Sequence, residues 1–181
     1  MRQFGVRIGA VAGFSIAVVL TVLAYGVSLP ALSGVLLAAV LAAAAAIDIE
    51  TRTIPNALCA AAAVAWLPTL FGAVDLLGAL GVGVVGACAV GGVLLVFSLA
   101  FEAVAHKPSL GGGDVKLMAA CSLHLGFFGG MAALALACLI GAAYGTLLAR
   151  RHSESDRTMP FAPAIACAVV LTYCVRPVLL L

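Results

Sequence analysis

The sequence predicts an all-α polytopic integral membrane protein, with six long transmembrane helices plus one short helix. Three observations carry that prediction. Of 181 residues, 65% are hydrophobic and 9% charged, with a mean hydropathy of +1.28, whereas soluble domains carry about 25% charged residues. Six apolar stretches each approach or exceed the roughly 17–25 residues that cross a ~30 Å hydrocarbon core. Short corners rich in helix breakers separate them, so successive helices run antiparallel. The polar remainder leaves no room for a soluble domain, and residues 1–181 read as one membrane-embedded unit.

The first apolar stretch, residues 8–29, follows Arg2 and Arg7. It exceeds the roughly 7–15 residues of a signal-peptide core, so residues 1–30 are expected to form an additional amino-terminal anchor. Pro30 opens the second stretch, 31–49, and Pro55-Asn56 opens the third, 56–73. The corner at 72–75 introduces the fourth, 76–105. Pro108 and the glycines 111–113 follow. Residues 115–125 are apolar but, at about 1.5 Å per residue, reach only partway through the bilayer. A turn at Gly126 is therefore expected to send the chain back through 127–149. The polar run 150–158 then leads to the last stretch, 160–180.

Charge placement tests this alternation. With a cytoplasmic amino terminus, eight of nine basic residues (2, 7, 52, 107, 116, 150, 151 and 157) fall on one side, leaving Arg176, as the positive-inside rule requires. Small residues recur one turn apart at Gly9 and Gly13, at Gly83, Ala87 and Gly91, at Gly126 and Gly130, and at Gly141 and Gly145. Such spacing lets helix backbones approach closely in lipid. The six cysteines all lie in apolar runs without a C-x-x-C pair, so they read as small apolar residues rather than as a zinc site or a disulfide framework. No metal and no cofactor is expected. A net charge of +2 gives no footing for a nucleic-acid partner.

An ionised aspartate at bilayer depth costs about 2.5–3.5 kcal/mol, so aspartates next to membrane helices mark candidate function. Of four aspartates, Asp75 falls in the opposite corner and Asp156 in a solvated charge run. Asp48 and Asp114 remain, both adjoining apolar helix on one face. Two carboxylates sharing one proton can hydrolyse a peptide bond: one activates water as base, the other protonates the carbonyl as acid. Each residue also has a plainer reading. Asp48 alone suits a helix-end charge paired with Arg52 four residues on, and Asp114 alone suits an N-cap after three glycines. Lys116 suits a snorkelling charge, and Glu102 and His106, near their helix end, suit interface charges rather than site residues. His124 reads as a packed or boundary histidine. A proton- or ion-coupled transporter or channel would instead use Asp48 and Asp114 as a relay, though both cluster near one face rather than at the midplane.

Asp48, then Ile54-Pro55-Asn56, then Gly111-x-Gly113-Asp114-x-Lys116, then Pro160-Phe161-x-Pro163 stand in fixed order, with Asp114 66 positions after Asp48. This pattern resembles the type IV prepilin peptidases, the GxGD intramembrane aspartyl proteases, over residues 31–175. The resemblance implies that Asp48 and Asp114 are the catalytic pair. Gly111 and Gly113 would then allow the backbone to position Asp114, and Pro160 and Pro163 would shape the start of a neighbouring helix. It also implies, as substrate, a prepilin with a short basic leader and a hydrophobic amino-terminal helix, cut at the cytoplasmic face of the inner membrane. The lipid bilayer, and pilus assembly machinery, are the other implied partners. Larger family members carry a cytoplasmic insert with paired C-x-x-C motifs and methylate the new amino terminus. This sequence has no such insert and resembles the short form that serves tight-adherence (Flp) pili, so methylation is not expected.

Overall fold

The structure is a computed structural model that describes residues 2–106, 110–151 and 160–179. The expected corner at Lys107 and Pro108 and the polar run with Glu154, Asp156 and Arg157 lie outside the described residues. Every regular element among them is helical: α1 (Arg2–Tyr25), α2 (Leu29–Thr51), α3 (Asn56–Val64), α4 (Leu67–Phe71), α5 (Leu76–Ala105), α6 (Gly112–Arg151) and α7 (Ala162–Leu179).

Local chemistry sets the boundaries. Ser28 caps α2, its Oγ accepting from the Ala31 N–H at 3.2 Å, and Pro30 occupies the first turn, where no intrahelical donor is needed. Arg52 ends α2 in the left-handed region, φ 58°. Asp75 caps α5, its Oδ1 accepting from the Gly78 N–H at 3.0 Å, and His106 closes it at φ 50°.

The third expected span is not one long helix. Residues 56–71 form the nine-residue α3 and the five-residue α4. Pro68 has no N–H for the Val64 carbonyl, and the Trp66 N–H turns back to Ala63 O at 3.2 Å. Side chains satisfy the carbonyls this frees. Ser33 Oγ donates to Ala65 O at 2.8 Å, and His124 Nε2 bonds Ala62 O at 2.9 Å. Because a carbonyl can only accept, Nε2 carries the hydrogen. His124 is thus a buried structural histidine, 3% exposed.

Within α6, Gly126 stands at φ 68°, ψ −172°, a conformation essentially reserved for glycine. The chain reverses there: a Cβ on Gly130 would lie 2.6 Å from Ser122 Oγ and 3.0 Å from Ser122 Cβ. Residues four before and four after Gly126 could not meet in a straight helix, where they would stand about 12 Å apart. A short helix, 112–125, therefore turns back into a longer one, as the sequence predicts. Gly86 allows that turn to sit against α5, where an added Cβ would be 2.5 Å from the Gly126 carbonyl carbon.

Four segments are long and apolar enough to cross a membrane: Gly5–Tyr25, Leu29–Thr51, Leu76–Val104 and Gly112–Leu147, the last interrupted at Gly126. Asn56–Phe71 and Ala162–Val175 are shorter apolar helices, so six long spans is more than the lengths support. Helix α6 is central, packing on α3, α5 and α7, while α1, α2 and α7 pack together. Its short arm supplies the fully buried Leu117, Met118, Cys121 and Ser122. Large apolar side chains such as Leu23 (77%) and Val96 (67%) are exposed, the arrangement a lipid solvent rewards. Of the small-residue pairs, Gly83 meets Trp66 and Leu123, Gly91 meets Ala119, and Gly141 meets Phe161. Gly9 and Gly13 face open space.

Candidate active site

Asp48 lies one turn before the end of α2, and its carbonyl accepts the Arg52 N–H at 2.9 Å. That bond closes the helix and turns the chain into the connection 52–55. Thr51 Oγ1 braces this turn, donating to Ile47 O at 2.9 Å and standing 2.9 Å from Thr53 Oγ1. The Asp48 side chain is 6% exposed, the one carboxylate among the buried described residues.

A buried charge must be hydrogen-bonded. Asp48 Oδ2 accepts the backbone N–H of Ala162 at 3.0 Å. Ala162 is the first residue of α7, and the other early donors of that helix are accounted for. Pro163 has none, while the Ala164 and Ile165 N–H groups reach Phe161 O at 3.0 and 3.1 Å. The Pro160–Pro163 stretch therefore directs one helix-terminal N–H at Asp48. Sequence reasoning marked the prolines and missed Ala162. A backbone donor leaves no trace in residue type, and only the two prolines beside it could have signalled it.

Asp114 sits in the first turn of α6, two residues inside it, rather than at its cap. The Asp114 and Val115 N–H groups bond Gly111 O at 2.9 and 3.3 Å, so Gly111 is the cap. The Asp114 carboxyl reaches back to the Gly111 N–H, as the N3 side chain of a capping box does. The other oxygen, Oδ1, is buried with no hydrogen-bond partner.

The 52–55 connection and the start of α6 meet through glycine. A Cβ on Gly113 would lie 3.0 Å from Ile54 Cβ and 3.3 Å from Ile54 O, tighter than an ordinary contact, so glycine there lets the 52–55 connection close on α6 without displacement. Gly111 keeps space for the neighbouring carboxyl: an added Cβ would be 3.1 Å from Asp114 Oδ2. Lys116 Nζ donates to Asn56 Oδ1 at 3.0 Å, fastening α6 to the start of α3 beside Pro55. Cys59 Sγ approaches Gly113 O at 3.8 Å from the same helix. Asp114 is thereby brought close enough to Asp48 to sense its carboxyl. Arg52 meets Asp48 through the backbone bond that ends α2, and its side chain is exposed.

The arrangement brings two carboxyl groups to one end of the bundle, one bonded to a helix N-terminus and the other with an oxygen that has no partner. Two carboxyls that share one water can give and take a proton across it. No group of three or more His, Cys, Asp or Glu able to hold a metal occurs among the described residues.

Comparison with known proteins identifies the family. Residues 35–146 match the type IV leader peptidase family, a span that includes Asp48, 54–56 and 111–116, with Pro160 and Pro163 beyond it. The chain is 37% identical over 146 residues to a prepilin leader peptidase/N-methyltransferase of Aeromonas salmonicida, covering 76% of this chain and 47% of the relative. It is equally similar to that of Aeromonas hydrophila. With the protein of the same name from Bacillus subtilis it shares 34% over 152 residues, 82% of this chain and 58% of the relative. The chain thus spans about half the length of the curated relatives it matches. No solved structure matches it. With its several apolar helices and a family match over most of its length, the chain is a multi-pass membrane protein that belongs to the type IV leader peptidase family.

Proposed function

We propose that the chain is an aspartic endopeptidase that cleaves the leader from type IV, Flp-like prepilins, with Asp48 and Asp114 as its catalytic pair. The observation that supports this reading is the convergence of the two segments that carry them, with Asp48 buried near the end of α2 and Asp114 in the first turn of α6, where Gly113 packs on Ile54. Water between them would attack the scissile carbonyl, one carboxyl acting as base and its neighbour as acid. Gly113, Ile54, Lys116 and Asn56 are supporting residues that set the separation of the pair. Both aspartates lie at one end of the bundle, which suits cleavage at a membrane face better than conduction across it.

The topology we favour has six crossings. Helices α3 and α4 together make one, the two arms of α6 make a partial entry and a return, and α7 makes the last. The amino terminus, the α2–α3 connection and the pair then face the cytoplasm, as the basic residues suggest. The substrate helix would lie in the bilayer against the bundle, so that burial of its apolar surface positions the leader junction. The relatives named above carry methyltransferase in their names as well; we assign this chain the peptidase activity alone. Docking on pilus assembly machinery would place it beside its substrate.

The test is cleavage by purified protein in lipid bilayers of a prepilin carrying an intact leader, read by mass spectrometry. A single cut at the leader junction is expected. Failure to cut any of several Flp-type prepilins, with the protein demonstrably folded, would overturn the assignment.

A further inference from the structure

Resting on the aspartyl-peptidase reading, we propose that the first N–H of α7, at Ala162, is a positioning group that holds Asp48 as the ionised base. Asp114 Oδ1 then carries the proton delivered to the scissile carbonyl oxygen.

The two carboxyls are chemically unlike. Asp48 Oδ2 takes the Ala162 N–H at 3.0 Å, at the start of an 18-residue helix. The unsatisfied donors of a helix N-terminus carry a partial positive charge, roughly half an elementary charge, and favour an anion. That N–H is the one donor of the first turn left for Asp48, since Pro163 has none and the next two serve Phe161 O. Asp114 has one oxygen turned to the Gly111 N–H and the other, Oδ1, buried without a partner. A bare, buried anionic oxygen is costly, whereas a hydroxyl there is a donor awaiting an acceptor. The charged groups near the pair are Glu50 and Arg52 at the exposed end of α2 and Lys116 on α6, bonded to Asn56. Cys59 of α3 is the remaining titratable neighbour, and residues 160–163 of α7 contribute none.

The proton then moves in one direction. Asp48 takes a proton from water as the water oxygen bonds to the carbonyl carbon. The carbonyl π pair moves to its oxygen, which takes the proton from Asp114. In the collapse, Asp48 gives its proton to the leaving nitrogen as the C–N bond breaks, and one hydroxyl of the tetrahedral intermediate returns a proton to Asp114. The pair ends as it began.

Ala162→Pro removes this N–H at a position where proline is well tolerated in a helix. It should lower kcat about 10- to 100-fold while KM stays within about threefold, the loss of one charge-assisted hydrogen bond. Ala162→Gly, which keeps the N–H, should retain a kcat well above that of Ala162→Pro. A kcat for folded Ala162→Pro within about twofold of wild type, or a loss confined to KM, would overturn the proposal. Infrared difference spectroscopy decides it without cleavage, and so separately from the peptidase reading. The carbonyl band of a protonated buried carboxyl should be present in wild type, absent in Asp114→Asn and retained in Asp48→Asn. Any other pattern of that band contradicts the assignment, even if Ala162→Pro fails to fold.

Discussion

Gly113 is the tightest point in the construction of the site, and enlarging it should separate the aspartates. A Cβ there would stand 3.0 Å from Ile54 Cβ and 3.3 Å from Ile54 O, against about 3.5–4.0 Å for an ordinary carbon contact. Gly113→Ala therefore requires the 52–55 connection to give by a few tenths of an ångström. Gly113→Val adds two further carbons in the same direction. Ile54 is tied to Asp48 through a short connection, and Gly113 directly precedes Asp114, so the displacement falls on the pair. A misplacement of about 1 Å can cost 100-fold in rate. We expect kcat for prepilin cleavage to fall about 10-fold in Gly113→Ala and about 100-fold or more in Gly113→Val, by the same sensitivity. Overpacking should lower stability by about 1–3 kcal/mol, which thermal unfolding in detergent separates from the kinetic loss. A folded Gly113→Val that cuts within twofold of the wild-type rate would refute the reasoning.

Other residues give independent checks. Asn56→Ala and Lys116→Met each break the same 3.0 Å bond, so a double-mutant cycle on thermal stability should show coupling of about 0.5–1 kcal/mol, and additive effects would deny the contact. His124→Leu leaves Ala62 O without its donor in the core and should cost about 1–3 kcal/mol of stability. Its kcat should hold, because Ser33, which touches His124, stands about 22 Å along α2 from Asp48 at 1.5 Å per residue. Gly126→Ala meets both a φ of 68° and a contact of 2.8 Å with Val82 Cγ1, and should lower stability by about 2–4 kcal/mol, strain and overpacking combined.

Much of this was legible in the sequence, for identifiable reasons. Apolar runs and breakers gave the helices, because a lipid solvent leaves the backbone few alternatives. Gly126 announced the reversal in α6, since the 115–125 run is too short to cross and a positive φ suits glycine. The aspartates stood out because charge is rare beside such helices. What escaped was set by contacts between distant segments. The break between α3 and α4 had a local sign in Pro68, but that Ser33 and His124 receive the freed carbonyls is set by distant segments, and nothing within 56–73 shows it. Lys116 read as a snorkelling charge because its partner, Asn56, is 60 residues away. Asp114 read as a cap because three glycines precede it, yet the helix starts at Gly112 and uses its carboxyl in reverse. The bond from Ala162 left no trace but the two nearby prolines, since every residue but proline offers the same N–H.

The central claim is that Asp48 and Asp114 act as one catalytic unit. The most direct measurement is prepilin cleavage by purified Asp48→Asn, Asp114→Asn and the double variant, each shown to be folded by thermal unfolding. The account predicts that either single substitution abolishes cleavage and that the double variant is no worse than the singles, because the two carboxyls serve one proton transfer. A folded single variant that still cuts the leader junction near the wild-type rate would contradict it.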